Sequence, residues 1–160
     1  MDRKEVFFKL LFGRSEGYLS LAFLEQESRK FFERYYRYPK ELDTAIKEID
    51  ALKDSHNAYF CPQLFSEKAR KKEFVNFTPN AWADLDSCHP NKMLVTPSVQ
   101  VQSSPGRYQA YWVFDDFVAP KEAEELSRRI AYFHHDDGAD NSGWDLTQLL
   151  RVPFTPNHKY

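Results

Sequence analysis

Cysteine is nearly absent from this chain. Cys61 and Cys88 are the only two in 160 residues, far apart and outside any C-x-x-C spacing. That excludes a disulfide framework and a zinc site of ordinary spacing, and a reducing, cytoplasmic setting is expected. No apolar run approaches the ~20 residues of a membrane span. The charged start Met1-Asp2-Arg3-Lys4-Glu5 leads into no secretion signal, so no membrane partner is expected. An excess of positive charge is missing too. The net charge is -2, so nucleic acid could be held only by a local patch, not by overall potential. There is no internal repeat, low-complexity tract or linker. One domain over residues 1–160 is expected, the N-terminal fragment of a longer protein, because the chain stops after Asn157-His158-Lys159 without a tail or a helix cap.

What the chain has is a large apolar and aromatic share, 42% and 16%, against 29% charged residues. This is the composition of a globular domain large enough for a real core. Not all the rings fit inside it, so some must lie at the surface or line a groove. Residues 17–24 alternate as a short strand does. Between residues 25 and 38, Phe31, Phe32, Tyr35 and Tyr36 stand at helical spacing, which predicts a helical or mixed stretch up to Pro39. Leu42, Ala45, Ile46, Ile49 and Leu52 form the stripe of a helix over residues 39–53. Strands are expected at 57–62 and 80–86, and a hairpin from 98–102 and 108–114 around Ser103-Ser104-Pro105-Gly106-Arg107. A helix should start at Pro120 and run to the polar break at His134, and a last short helix is expected over 144–150, stopped by Pro153. Strands alternating with helices, plus one hairpin, predict an α+β sandwich with a mixed sheet.

Three segments carry candidate chemistry. In Ala81-Trp82-Ala83-Asp84-Leu85-Asp86, strand alternation puts Asp84 and Asp86 side by side and turns Ala83 and Leu85 to the core. Two adjacent carboxylates repel, so both stay ionised only beside a cation. Oxygen-only ligands suit magnesium or manganese, and two such ions about 4 Å apart serve phosphoryl transfer. A bare D-x-D also fits a turn at a strand end, with Asp86 and Ser87 capping the next segment. In the second segment Arg107, Gln109 and Tyr111 share one strand face, opposite Tyr108, Ala110, Trp112 and Phe114. A guanidinium and an amide there could hold a nucleotide's phosphates; an ordinary hairpin with a solvated polar face is the other reading. The third segment offers Asp140 and Asp145 as further acids, with Arg151 and Lys159 as cations for a triphosphate. Helix capping by Asp145 and solvated charges are the plain alternatives.

Taken in order, the segments resemble the primase-polymerases of plasmids and phages, the RepB-like branch of the archaeo-eukaryotic primase superfamily. That family has a D-x-D or D-x-E motif, an S-x-H motif, a lone acid, and an Arg-hydrophobic-Pro-Gly-Thr-x-Asn-x-Lys signature. Trp82-Ala83-Asp84-Leu85-Asp86 is similar to the first, and Arg151-Val152-Pro153-Phe154-Thr155-Pro156-Asn157-His158-Lys159 to the last. The likeness runs from Asn57 to Tyr160. It implies a template-directed nucleotidyltransferase, with Asp84, Asp86 and Asp140 as catalytic and metal-binding acids, Asp145 in reserve, and two Mg2+ or Mn2+ ions. It further implies that Arg107, Gln109, Arg151 and Lys159 bind the nucleotide. The implied partners are single-stranded DNA template and primer, nucleoside triphosphates, and a C-terminal helicase or priming-helper domain. The implied fold is a sheet like that of an RNA-recognition motif carrying the acids, joined to a smaller N-terminal α/β part. Two departures stand out: Gln109 replaces the histidine of the second motif, and Phe154 the glycine of the signature.

Rival readings are a non-catalytic replication-initiator module that binds nucleic acid and a metal-dependent nuclease. Other signals are weaker. His134-His135-Asp136-Asp137 reads as the polar exit of a helix rather than a metal cluster, and Cys88-His89 lacks partner cysteines for zinc. The rings of 31–38 suit core packing better than base stacking. Lys68, Arg70, Lys71 and Lys72 form the densest basic patch, suited to a template backbone or to a solvated face.

Overall fold

The computed structural model describes residues 1–159; Tyr160, the last residue of the resemblance, lies outside the described residues. Helix α1 (Arg3–Phe12) is followed by strands β1 (Gly17–Glu25) and β2 (Phe31–Tyr38), helix α2 (Leu42–Leu52), and strands β3 (His56–Phe65) and β4 (Thr78–Asp86). Then come the hairpin β5 (Val99–Ser104) and β6 (Arg107–Val118), helix α3 (Pro120–Phe133) and the two-residue strand β7 (Leu150–Arg151). The strands form two sheets, ordered β2-β1-β3-β7 and β4-β6-β5.

The α+β class is as expected, but every strand pairing among the described residues is antiparallel, where a mixed sheet was predicted. The N-terminal part, α1 to β3, has a sheet of its own, which β7 from the far end of the chain completes as a fourth strand, against three strands in the sheet that carries Asp84. Two further expectations fail locally. Residues 31–38 are strand, because i and i+4 share a face in a strand as well as in a helix, and β1 offers a full ladder from Gly17↔Tyr38 to Leu24↔Phe31. Residues 144–149 form turns and irregular chain before β7, since Asp145 Oδ1 accepts from Thr147 N at 2.8 Å and thereby diverts the backbone from helical bonding. Helix α1 was not foreseen.

α1 joins the two sheets. Its Phe7 ring meets Phe60 of β3 at 5.4 Å and Tyr111 of β6 at 5.5 Å between centroids. Phe8, Leu11 and Phe12 lie in the same core with Leu19, Leu21, Ile49 and Trp82. The other face of the three-stranded sheet, with Ala81, Ala83, Leu85, Ala110 and Trp112, forms a second core into which Ile130 of α3 packs. Trp82, Gln109 and Tyr111 therefore face the first sheet, as strand alternation predicts.

Gly138, just after α3, has φ +107, and a Cβ there would collide with the Ser87 side chain and come within 3.2 Å of Cys88 N. Gly138→Ala is expected to destabilise the fold by about 2 kcal/mol, through the positive φ and the clash together; thermal melting measures it.

Candidate active site

A polar cleft of about 200 Å3 opens where the two sheets meet the C-terminal loop. Strand β4 contributes Asp84 and Asp86; β6 contributes Arg107 and Gln109; β3 contributes Tyr59. The hairpin adds Ser103 and Ser104, and the closing segment adds Leu149, Arg151, Asn157 and Lys159. Larger cavities, of about 270 Å3 beside α3 and about 350 Å3 beside α1, are mainly apolar.

The hairpin is set by Pro105 and Gly106, a two-residue turn in which Gly106 takes φ +73. Proline presets the first turn position and glycine accepts the left-handed second one. At the end of β4 the register against β6 shifts between Asp84 and Asp86, and Asp86 has φ +49, a conformation that aspartate tolerates better than most residues. The Asp86 N–H donates to Asp84 Oδ1 at 3.3 Å. The strand-end turn and the facing carboxylates are thus one structure. His89, not Asp86 or Ser87, caps the next turn, accepting from Asn91 N at 3.1 Å.

Electrostatics mark Asp84. Burial raises its pKa most, the charges of Asp86 and Asp140 add to that, and the Asp86 amide and Arg107 oppose it; the result is about 6. Asp86 is paired with the Arg107 guanidinium. Asp140 stands behind Asp84, its N–H donating to the Asp84 carbonyl at 3.0 Å. Its Oδ1 accepts from Ser142 N at 2.8 Å and Ser142 Oγ at 2.7 Å. Gly143 makes this approach possible. A Cβ there would lie 3.1 Å from Asp84 Cβ and 3.6 Å from Asp140 Oδ2.

Asp145 is engaged elsewhere. Lys72 Nζ lies 2.8 Å from its Oδ2; burial pushes its pKa up, but Lys72 and the Thr147 hydrogen bonds outweigh that and hold it below the usual range. Asp140, not Asp145, is therefore the neighbour of Asp84. The basic patch is partly spent as well: Arg70 pairs with Glu33 at 2.6 Å, and Lys72 also reaches Glu124 at 3.5 Å.

Arg151 lines the cleft, yet it is buried and bound within the protein. Nη1 donates to Asn57 Oδ1 at 3.0 Å and the Pro156 carbonyl at 3.2 Å; Nη2 donates to Asn157 Oδ1 at 3.0 Å and the Tyr59 hydroxyl at 3.4 Å. Sequence reasoning missed Asn57, Tyr59 and the structural part played by Asn157. The alternation of Asn57 and Tyr59 on one strand face was the available signal. Lys159 is exposed at the rim, and Gln109 is buried, its Oε1 without a hydrogen-bond partner among the described residues.

Divalent ions fit this donor set chemically. A buried carboxylate whose ionisation two neighbouring acids disfavour, beside an unpartnered amide oxygen, offers hard oxygen ligands whose charged form a cation would stabilise. Among the described residues no three Asp, Glu, His or Cys side chains are already gathered into an ion cage. His134 serves structure, bonding Asp137 at 3.3 Å and the Leu94 N–H at 3.2 Å. Among the described residues no helix is long and apolar enough to cross a membrane.

The family model for the RepB DNA-primase N-terminal domain matches residues 27–160. No curated protein sequence matches the chain significantly. Among solved structures, the AEP domain of cyanophage S-2L primase-polymerase is similar at TM-score 0.69 and 15% identity, over 99% of this chain and 85% of that one. Primase RepB′ is similar at TM-score 0.65 and 14% identity, over 98% of this chain; the chain spans 52% of that protein's length. The catalytic domain of RepB′ in complex with initiator DNA gives 0.66 and 16%, over 99% of this chain and 80% of that one. At these identities the likeness is one of fold.

Proposed function

Because the chain belongs to the RepB DNA-primase N-terminal domain family, we propose that it is a template-directed nucleotidyltransferase, a DNA primase-polymerase, with residues 1–160 forming one catalytic domain. The observation that carries this reading is the cleft itself, which puts Asp84 and Asp86 opposite Arg107, Arg151 and Lys159. In this reading Asp84 and Asp86 hold the divalent ions and Asp140 completes the set from behind. When bound, magnesium or manganese would lower the pKa of the attacking hydroxyl and neutralise charge on the departing pyrophosphate. Arg107 and Lys159 receive the triphosphate. Gln109 donates an amide hydrogen to a phosphate oxygen but has no proton to deliver. Arg151 acts by positioning, because its bonds to Asn57, Pro156 and Asn157 hold the loop that presents Lys159. The partners are a single-stranded template and primer, nucleoside triphosphates, and a helicase or priming-helper segment of a longer, cytoplasmic replication protein.

Two observations favour a second reading. Asp86 is already neutralised by Arg107 and no histidine stands at Gln109, as suits an initiator module that binds DNA without catalysis. Extension of a labelled primer-template with manganese or magnesium separates the two. Asp84→Ala/Asp86→Ala should abolish extension, Asp140→Asn should reduce it about 100-fold, and Asp145→Asn should leave it within about threefold. DNA binding by the intact chain without extension, indifferent to Asp84→Ala, would select the initiator module.

A further inference from the structure

Phe154 combines two unfavourable features. Its backbone has φ +63, a left-handed conformation unfavourable for a residue with a Cβ, and the residue is 53% exposed, so core burial does not offset that. The ring borders the cavity beside α1, which Val6, Leu10, Val99 and Val101 also line. Arg3 is the one charged residue in the lining of that cavity among the described residues. Its guanidinium lies 5.4 Å from the Phe154 centroid. Cavity and catalytic cleft share a wall. Phe154 follows Arg151 by three residues, Gln102 precedes Ser103, and Asn157 Nδ2 donates to the Ser103 carbonyl at 3.4 Å.

We propose that Phe154 is a stacking platform for a nucleobase of the single-stranded DNA that passes through the cleft, with Arg3 meeting the adjoining phosphate. An exposed ring, an apolar floor and a single cation match a base with its phosphate. A ring stacks on any base, so the contact contributes affinity without reading sequence. The inference rests on the cleft being a nucleic-acid site, and the test separates its failure from that of the polymerase reading.

The test is affinity of the intact chain for a single-stranded oligonucleotide in which each nucleotide in turn is made abasic, measured for the native protein, Phe154→Leu, Phe154→Gly and Arg3→Ala. One position should show about a tenfold loss with the native protein and none with Phe154→Leu, whose own affinity for the full oligonucleotide is about tenfold lower. Phe154→Gly should bind equally weakly while melting at a higher temperature, because glycine accepts φ +63; a merely structural ring would move both readouts the same way. Arg3→Ala should weaken binding and reduce its salt dependence. If Phe154→Leu binds as the native protein does, stacking is rejected while Asp84-dependent extension leaves the polymerase reading standing. A change in oligomeric state on Phe154 substitution, with DNA affinity unaltered, would assign the cavity to a second copy of the chain and overturn the proposal. If the intact chain neither binds DNA nor extends a primer, both readings fall.

Discussion

Asp84→Asn is expected to abolish primer extension and, in the absence of divalent ions, to make the protein more stable at pH 7.5. The carboxylate is held at about pKa 6 by burial and by the charges of Asp86 and Asp140, against an ordinary value of 3.8. The folded state thus binds the proton more tightly than the unfolded chain. Stability from this group is fully present below about pH 4 and lost as the pH rises through 6. Ionised at pH 7.5 without a cation, Asp84 costs on the order of 2–3 kcal/mol, at 1.36 kcal/mol per pKa unit. Asparagine keeps the Oδ1 that accepts the Asp86 N–H and removes the charge. Its melting temperature should exceed that of the native protein by roughly 5 °C at pH 7.5, the difference shrinking toward pH 4 and on addition of manganese to the native protein. A lower melting temperature for Asp84→Asn at pH 7.5 would show that the ionised carboxylate is already satisfied within the protein.

The second large effect concerns Arg151. Arg151→Ala should lower stability by about 3 kcal/mol and remove extension together, because the side chain is buried and its loss takes one donor each from Asn57, Asn157, the Pro156 carbonyl and Tyr59, the two asparagines keeping only the His158 and Lys159 amides. Arg151→Lys should recover less than half of that stability, since one ammonium cannot reproduce a planar fork spread over β3 and the closing loop. Lys159→Ala provides the contrast. The residue is exposed, so melting should change by less than about 0.5 kcal/mol while KM for the nucleotide rises. Chemical denaturation and steady-state extension distinguish the two behaviours. If Arg151→Ala melts like the native protein and only KM rises, Arg151 is a triphosphate contact, not a positioning residue.

Much of the fold was legible locally. The stripe of Leu42, Ala45, Ile46 and Ile49 gives α2, the Pro105-Gly106 turn gives the hairpin, and Pro120 starts α3, since each is set by neighbours a few residues apart. α1 was missed because Val6 and Leu10 make it apolar outside its buried Phe7, Phe8, Leu11 and Phe12, which blurs the one-sided pattern. The rings of 31–38 were misread because helical and strand spacing coincide at four residues. The last predicted helix gave way to turns once the Asp145 side chain bonded its own backbone.

For the site, the sequence alone placed two acids two apart at a strand end, an arginine and an amide on the facing strand, and a closing segment that ends in Asn157 and Lys159. All of these depend on alternation or on a short motif. Which acid stands behind Asp84, and which partners Arg151 bonds, only the tertiary structure decided. Asp140 meets Asp84 because Gly143 allows the loop to approach β4, while Lys72 draws Asp145 away. Arg151 is turned inward because Asn57, 94 residues earlier, accepts its hydrogen bond. Local periodicity orients a side chain on its own element; the partner it meets is set by how distant elements pack.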